Sequence, residues 1–299
     1  MKPLDVSREC FPETERSSDG MITLSPKIDN QDMRYIEDVV YLERGTQRLR
    51  LQIILPCDCS VRHPLIVYIP GSAFHRQEVK APIPNISLLA ARGYAAAVLE
   101  YRGSEDACFP SVVLDAKAGI AFAKEYMRRY SVDTERVFVM GDSSGGYTAL
   151  MAGLTFGVKS LEDEYSSGRD YSVSAVVDFY GPTDFTTMND EPSTQDHAAA
   201  DSPEGLFIGG REVVADSEYV QSTIVKNYVN DGRTLPPVIM FHGNADELVP
   251  FSQSCELYEA LKANGHRAYL YRIKGAHHGG REFWSDEVLS VVDRFLKEV

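Results

Sequence analysis

The 299-residue sequence predicts an α/β fold: a mostly parallel central sheet with an antiparallel N-terminal hairpin, helices on both faces and a small cap insertion. Three observations predict it. From residue 65 onward, short continuous apolar runs alternate with helical patterns, the way buried strands of a parallel sheet read. Ahead of them, two strand-like runs flank a glycine turn and read as a hairpin. One segment, at about 181–235, breaks the alternation and is too long for a simple crossover.

The elements follow in order. Residues 1–34 are polar, broken at Ser17-Ser18-Asp19-Gly20, and read as an N-terminal arm or lid segment; 35–299 reads as one domain. Tyr35–Leu42, the Arg44-Gly45-Thr46 turn and Leu49–Pro56 form the hairpin. Leu65–Ile69 is a strand ending at Pro70-Gly71-Ser72-Ala73, followed by a helix over Pro84–Arg92, a strand over Tyr94–Leu99 and a long helix over Val112–Tyr130. Arg136–Met140 is a buried strand, and a helix opens at Gly146. Val173–Tyr180 is the next strand. The 181–235 segment is rich in Asp, Ser, Pro and Gly, with a short helical stretch over Ser217–Val229, and is read as a cap over the carboxyl ends of the strands. The strand Pro237–Phe241, the helix Ser252–Asn264, the strand Ala268–Ile273 and the amphipathic helix Asp286–Lys297 complete the chain.

Composition excludes some classes of function. Thirty Lys and Arg stand against 44 Asp and Glu, a formal charge of −14. That balance argues against nucleic acid and against anionic membrane surfaces, both of which attract basic residues. Five cysteines at irregular spacing, with Cys57 and Cys59 too close for an easy disulfide, read as free thiols in a reducing compartment. The first residues lack the shape of a signal peptide and no run reaches transmembrane length, so a cytoplasmic protein is expected. No zinc-type Cys/His spacing occurs, and no metal or organic cofactor is expected.

The most informative stretch is Gly141-Asp142-Ser143-Ser144-Gly145, between a strand and a helix. Gly-x-Ser-x-Gly in that setting is a nucleophile elbow: a strained turn with small flanking residues lifts the serine hydroxyl clear of the sheet, beside the free N–H groups of the helix start. Two later strands end in loops that supply partners. Pro237–Phe241 leads into His242-Gly243-Asn244-Ala245-Asp246, and Tyr269–Ile273 into Lys274-Gly275-Ala276-His277-His278. A serine hydroxyl is barely acidic, so a neutral imidazole must take its proton and a carboxylate must fix and stabilise that imidazole. Ser143, Asp246 and His278 are therefore the catalytic candidates. Two N–H groups must meet the oxyanion. One is expected from Ser144, the other from Ser72 or Ala73.

With these residues in place, the chain resembles the α/β-hydrolase fold, and within it the carboxylesterases related to bacterial acetyl-xylan and feruloyl esterases. The resemblance runs from about Tyr35 to the C-terminus. Besides the elbow it rests on Pro-Gly-Ser-Ala-Phe at 70–74, Glu-Tyr-Arg-Gly-Ser at 100–104, Phe-Pro at 109–110 followed by Asp115, Ser-Pro-Glu at 202–204, His-Gly-Asn-Ala-Asp at 242–246 and Gly-Ala-His-His-Gly at 275–279. It implies a serine carboxylesterase that cleaves short-acyl or hydroxycinnamoyl esters, carbohydrate esters among them, through an acyl-enzyme. Two departures stand out. Relatives often carry glycines where Ser72 and Ala73 stand, and a glycine where His277 stands. The alignment favours His278 over His277 as the base.

Phe74, His75 and Gln77 follow the oxyanion loop and are candidates for the substrate pocket, against core packing for Phe74. Tyr147 reads as packing and Asp142 as a brace for the elbow. Asp184 is a rival acid, although Gly181-Pro182-Thr183-Asp184 looks like a turn and helix cap. Phe207 and Tyr219 are cap aromatics of undetermined direction. A small-molecule ester is the expected partner, and an edge strand allows a homodimer without requiring one. Two other readings use the same residues: a small peptidase of the prolyl-oligopeptidase type, and a binding protein that keeps the fold without turnover.

Overall fold

A computed structural model describes residues 5–26, 32–230 and 232–299. The chain divides into two units, 1–30 and 31–299. In the first, the described residues form one 3-10 turn, Arg8–Cys10, with no buried residue in it. The second unit contains the whole sheet, and its first strand opens at Met33, two residues ahead of the expected start.

The sheet has eight strands: β1 (Met33–Arg44), β2 (Gln47–Pro56), β3 (His63–Ile69), β4 (Ala95–Leu99), β5 (Val132–Asp142), β6 (Ala175–Phe179), β7 (Val238–Gly243) and β8 (Ala268–Ile273). Its helices are α1 (Ile83–Ala90), α2 (Ser111–Met127), α3 (Ser144–Leu154), α4 (Pro203–Phe207), α5 (Glu218–Gln221), α6 (Ser252–Ala263) and α7 (Asp286–Lys297). β1 and β2 pair antiparallel around Gly45, whose φ of +62° suits the turn, and β2 pairs antiparallel with β4; the six strands β3–β8 are mutually parallel. The mostly parallel sheet with an antiparallel hairpin is thus the architecture the apolar runs implied.

Strand alternation divides the core. Leu65, Val67 and Ile69 of β3 face one side, packed with α2, α3 and α6, while Ile66 and Tyr68 face the other with α1 and α7. α7 shows how the sequence makes one such helix. Val288, Leu289, Val292, Phe295 and Leu296 form its buried stripe, the Ser285 hydroxyl caps it by accepting from the Val288 N–H, and acids open it while Arg294 and Lys297 close it.

The strand order is β1-β2-β4-β3-β5-β6-β7-β8. β4 lies outside β3, so the chain steps outward through α1 and then returns across β3 through α2. The reversal leaves β3 and β5 adjacent, with Ile69 opposite Gly141. Their carboxyl ends flank a topological switch point, the usual place for a ligand in such sheets.

The 181–235 segment runs between β6 and β7 and contains α4, α5 and short 3-10 turns. The expected helical stretch 217–229 is split into α5 and a 3-10 turn at Val225–Tyr228. Ile224 between them is extended, within the β-branched run Thr223-Ile224-Val225, which is poorly suited to helix. Gln253 of α6 anchors the segment's start: its side-chain oxygen accepts from the N–H groups of Thr183 and Asp184 at 2.9 and 2.8 Å.

Candidate active site

Ser143 sits between β5 and α3 with φ 52° and ψ −128°, a strained conformation for a residue with a Cβ. The turn closes only because its neighbours are small. A Cβ on Gly141 would collide with the backbone of Gly145, and one on Gly145 with the Ile69 carbonyl. Asp142 braces the turn: its Oδ1 accepts from the Tyr68 hydroxyl at 2.5 Å and from the Gly71 N–H at 2.9 Å.

Three loops at the carboxyl ends of β5, β7 and β8 bring the catalytic candidates together. His278 Nε2 lies 2.9 Å from Ser143 Oγ, and its Nδ1 lies 2.8 and 3.1 Å from the two Asp246 oxygens. The Tyr180 ring meets the His278 ring edge-on, with centroids 4.9 Å apart. Asp246 Oδ1 also accepts from the N–H groups of Leu248 and Val249, each at 2.9 Å. The imidazole of His242, wholly buried, stands 3.2 Å from Oδ2. Burial alone would raise the Asp246 pKa, but hydrogen bonds from His242 and His278 hold it well below the usual carboxylate range. His277 turns away to Glu247 and is mostly exposed. Asp184 is engaged elsewhere: it binds Lys226 at 2.7 Å and caps its own turn through the Thr186 N–H.

The oxyanion loop separates its two candidates. The Ser72 N–H already donates to Ser144 Oγ at 2.9 Å, so it is not free for an oxyanion. The Ser72 hydroxyl donates to the His75 carbonyl and lies 3.1 Å from the Tyr101 hydroxyl, which donates to the Pro70 carbonyl at 3.0 Å. Ala73 and the next residue, Phe74, have φ values of 51° and 63°. The Ala73 N–H makes no hydrogen bond within the described residues. Ser144 is the first residue of α3, where an N–H has no intrahelical acceptor.

A cavity of about 60 Å³ opens on Ser143 and His278. Its lining also includes Ala73, Phe74 and Ser144, together with Gln195, His197, Pro203 and Glu204 of the 181–235 segment and Leu248 and Val249. Of the three pocket candidates, only Phe74 is there. It is otherwise core, stacked on Phe207 at 4.1 Å and edge-on to Tyr147 at 5.4 Å. His75 is not in the lining; it points outward to Glu105 at 2.8 Å. Gln77 is not in the lining either. Its amide is spent on backbone, donating to the His75 carbonyl at 2.6 Å and accepting from the Tyr101 N–H at 2.9 Å. Tyr147 is buried and donates to the Thr223 carbonyl, and Tyr219 donates to the Phe109 carbonyl.

Sequence reasoning gave no role to His242, His197 or Glu204. His242 lay inside a quoted motif, and its alternation with Val238 and Met240 on β7 was the available signal. His197 lies in irregular chain, and Glu204, inside the quoted Ser-Pro-Glu, opens a five-residue helix too short for a period to tell direction. Among the described residues, no group of three His, Cys, Asp or Glu side chains is placed to hold a metal ion, and no helix is long and apolar enough to cross a membrane.

The sheet, the elbow and the hydrogen-bonded Ser143–His278–Asp246 set place this chain among the α/β-hydrolases, the fold class of the carboxylesterases. The chain belongs to the BD-FAE family, whose pattern matches residues 51–261. It is similar to esterase LipC of Mycobacterium tuberculosis, 29% identical over 224 residues, covering 72% of this chain and 53% of LipC. It is also similar to isoprenylcysteine alpha-carbonyl methylesterase ICME of Arabidopsis thaliana, 26% identical over 259 residues, covering 82% and 59%. The chain therefore spans little more than half the length of these curated relatives. Among solved structures, a truncated carbohydrate esterase from gut microbiota superposes with a TM-score of 0.77 at 26% identity, over 91% of this chain and 98% of that one. The butyrate-bound esterase Est2 of Thermogutta terrifontis superposes with a TM-score of 0.69 at 26% identity, over 90% and 94%.

Proposed function

We propose that the protein is a serine carboxylesterase acting on short-acyl esters through an acyl-enzyme. The observation that carries this reading is the unbroken hydrogen-bond chain Ser143–His278–Asp246 beside an unpaired Ala73 N–H. His278 Nε2 takes the Ser143 proton as Oγ attacks the ester carbonyl. Asp246, accepting at Nδ1, holds the tautomer and stabilises the imidazolium. The N–H groups of Ala73 and Ser144 receive the oxyanion. The imidazolium then protonates the departing alcohol, and a water activated by the same nitrogen releases the acid.

The small cavity favours acyl groups of two to four carbons over hydroxycinnamoyl groups. Est2 of Thermogutta terrifontis, with structures bound to butyrate and to propionate, supports the same range. The gut-microbiota carbohydrate esterase supports acylated carbohydrates as substrates. The five cysteines are unpaired, which supports a reducing cytoplasm as the place of action.

The test is hydrolysis of nitrophenyl acetate, butyrate and octanoate, with methyl ferulate and acetylated xylo-oligosaccharides alongside. Acetate and butyrate esters should turn over and the octanoate and ferulate lag. Ser143→Ala should abolish turnover, and Asp246→Asn should lower kcat by about 10⁴-fold. A fully active Ser143→Ala protein sinks the reading.

A further inference from the structure

The lining of the cavity contains an acid–imidazole pair that the reaction above does not use. His197 and Glu204 are both buried in the chain between β6 and β7, and both line the cavity that holds Ser143. Local sequence fixes Glu204. Ser202 caps α4 by accepting from the Gly205 N–H at 2.9 Å, Pro203 takes the first helical position, and Glu204 follows in the first turn. His197 is held at both nitrogens, with Nε2 2.9 Å from Ser193 Oγ and Nδ1 3.0 Å from Glu204 Oε2. Glu204 Oε1 accepts no hydrogen bond within the described residues. One carboxylate oxygen is therefore held by the imidazole, and the other accepts nothing within the described residues on a side chain that lines the cavity.

That oxygen keeps accessible surface, so a donor from water or from a ligand that displaces the water can meet it. A short unsubstituted acyl chain has no donor to offer, so the donor belongs to the alcohol side of the ester. A quaternary ammonium head has no N–H or O–H to donate, whereas a hydroxyl does. We propose that Glu204 is a specificity-determining residue whose free oxygen accepts a hydrogen bond from a hydroxyl of the substrate's alcohol portion, with His197 positioning it. Polyol and sugar esters are the substrate class this selects. The inference rests on the serine-esterase reading and narrows it.

The experiment compares kcat/KM for propyl acetate and for 2-hydroxypropyl acetate, which differ by one hydroxyl beside the ester carbon chain. The wild-type protein should favour the hydroxylated ester by about tenfold or more, the scale on which a buried acceptor discriminates. In Glu204→Gln, the His197 N–H holds the amide oxygen, so the amide NH₂ faces the cavity, a donor where an acceptor stood. The ratio of the two kcat/KM values should collapse toward one. Because it is a ratio measured on one preparation, it is independent of how much of the variant is folded. Glu204→Asp should retain part of the preference. A wild-type ratio near one, an unchanged ratio in Glu204→Gln, or a preference for acetylcholine over the hydroxylated ester overturns the inference and leaves the esterase reading standing. Failure of wild type to cleave either ester, with no labelling of Ser143 by a fluorophosphonate, overturns the esterase reading itself and the inference with it.

Discussion

His242 and His278 converge on the same oxygen of Asp246: His242 Nε2 stands 3.2 Å from Oδ2, and His278 Nδ1 2.8 Å from it. The His242 imidazole is fixed from behind at Nδ1 by Ser254 Oγ at 2.8 Å. The carboxylate is thereby held ionised in spite of its burial, which is what an imidazolium partner requires.

Replacing His242 by Phe keeps a ring but removes one of those donors. The Asp246 pKa should rise, and the stability that its ionised form contributes should be lost at a higher pH. A depressed folded-state pKa means stability is present above the unfolded value and lost as pH falls through the folded one. The acid-unfolding midpoint of His242→Phe should therefore lie above that of wild type. At pH 7 the variant should be less stable by about 1–3 kcal/mol, and kcat should fall with KM little changed. An unshifted acid midpoint would show that His242 does not act through Asp246.

Ser144 has two jobs that a single substitution separates. In the proposed mechanism its N–H faces the oxyanion, while its hydroxyl receives the Ser72 N–H. Ser144→Ala keeps the first and removes the second, freeing the oxyanion loop. We expect kcat to drop by less than the roughly 10²-fold that loss of an oxyanion donor costs. A drop larger than that, in a protein with unchanged thermal stability, would contradict the division of roles.

Asp178 on β6 is wholly buried, and its Oδ1 accepts from the Gly181 N–H at 3.0 Å while Oδ2 has no partner among the described residues. Burial, with the Asp142 charge adding to it, pushes its pKa up to about 8. The folded chain thus keeps a proton that the unfolded chain loses near pH 4, so Asp178 makes stability fall as pH rises from about 4 to 8. Asp178→Asn removes that slope. Its stability relative to wild type should improve by up to about 1.4 kcal/mol per pH unit across this window. Urea unfolding at pH 4.5 and pH 8 measures it, and a difference that does not change with pH would refute it.

Gly145 faces the backbone at the end of β3, where a Cβ would strike the Ile69 carbonyl. Gly145→Ala should cost about 1–3 kcal/mol in urea unfolding and displace the elbow enough to remove most activity. Gly157, with open space around its Cα but a positive φ of 79°, provides the contrast. Alanine there should cost about 1 kcal/mol and leave the elbow undisturbed.

Much of this was legible in the sequence, for definite reasons. The apolar runs of β3, β4, β5 and β7 are continuous because both faces are covered, and continuous runs are hard to misread. Ser143 and Asp246 each follow such a strand and His278 follows the half-exposed edge strand β8, so their common location was set by the parallel order. Side-chain direction in the loops was not legible. His75 and Gln77 stand beside the oxyanion loop in sequence, yet two consecutive left-handed residues, Ala73 and Phe74, turn the chain so that both face elsewhere. Ser72 looked equivalent to Ala73 until the Ser144 hydroxyl, 72 positions away, was seen to occupy its N–H. His197 and Glu204 meet across a turn with no periodicity, and only the cap at Ser202 decides how they face.

The sheet order has a consequence for how the protein fails. Ser143, the proposed nucleophile, follows β5, an interior strand walled by β3 and β6, whereas His278, the proposed base, follows β8, the last strand of the sheet. β8 is paired on one side only, and Ala268 alone among its six residues is buried. Fraying of that edge would separate His278 from Ser143 while the interior strands stayed intact. Heat should therefore silence the protein before it melts it, and the first casualty is proton transfer, with the serine still on its elbow.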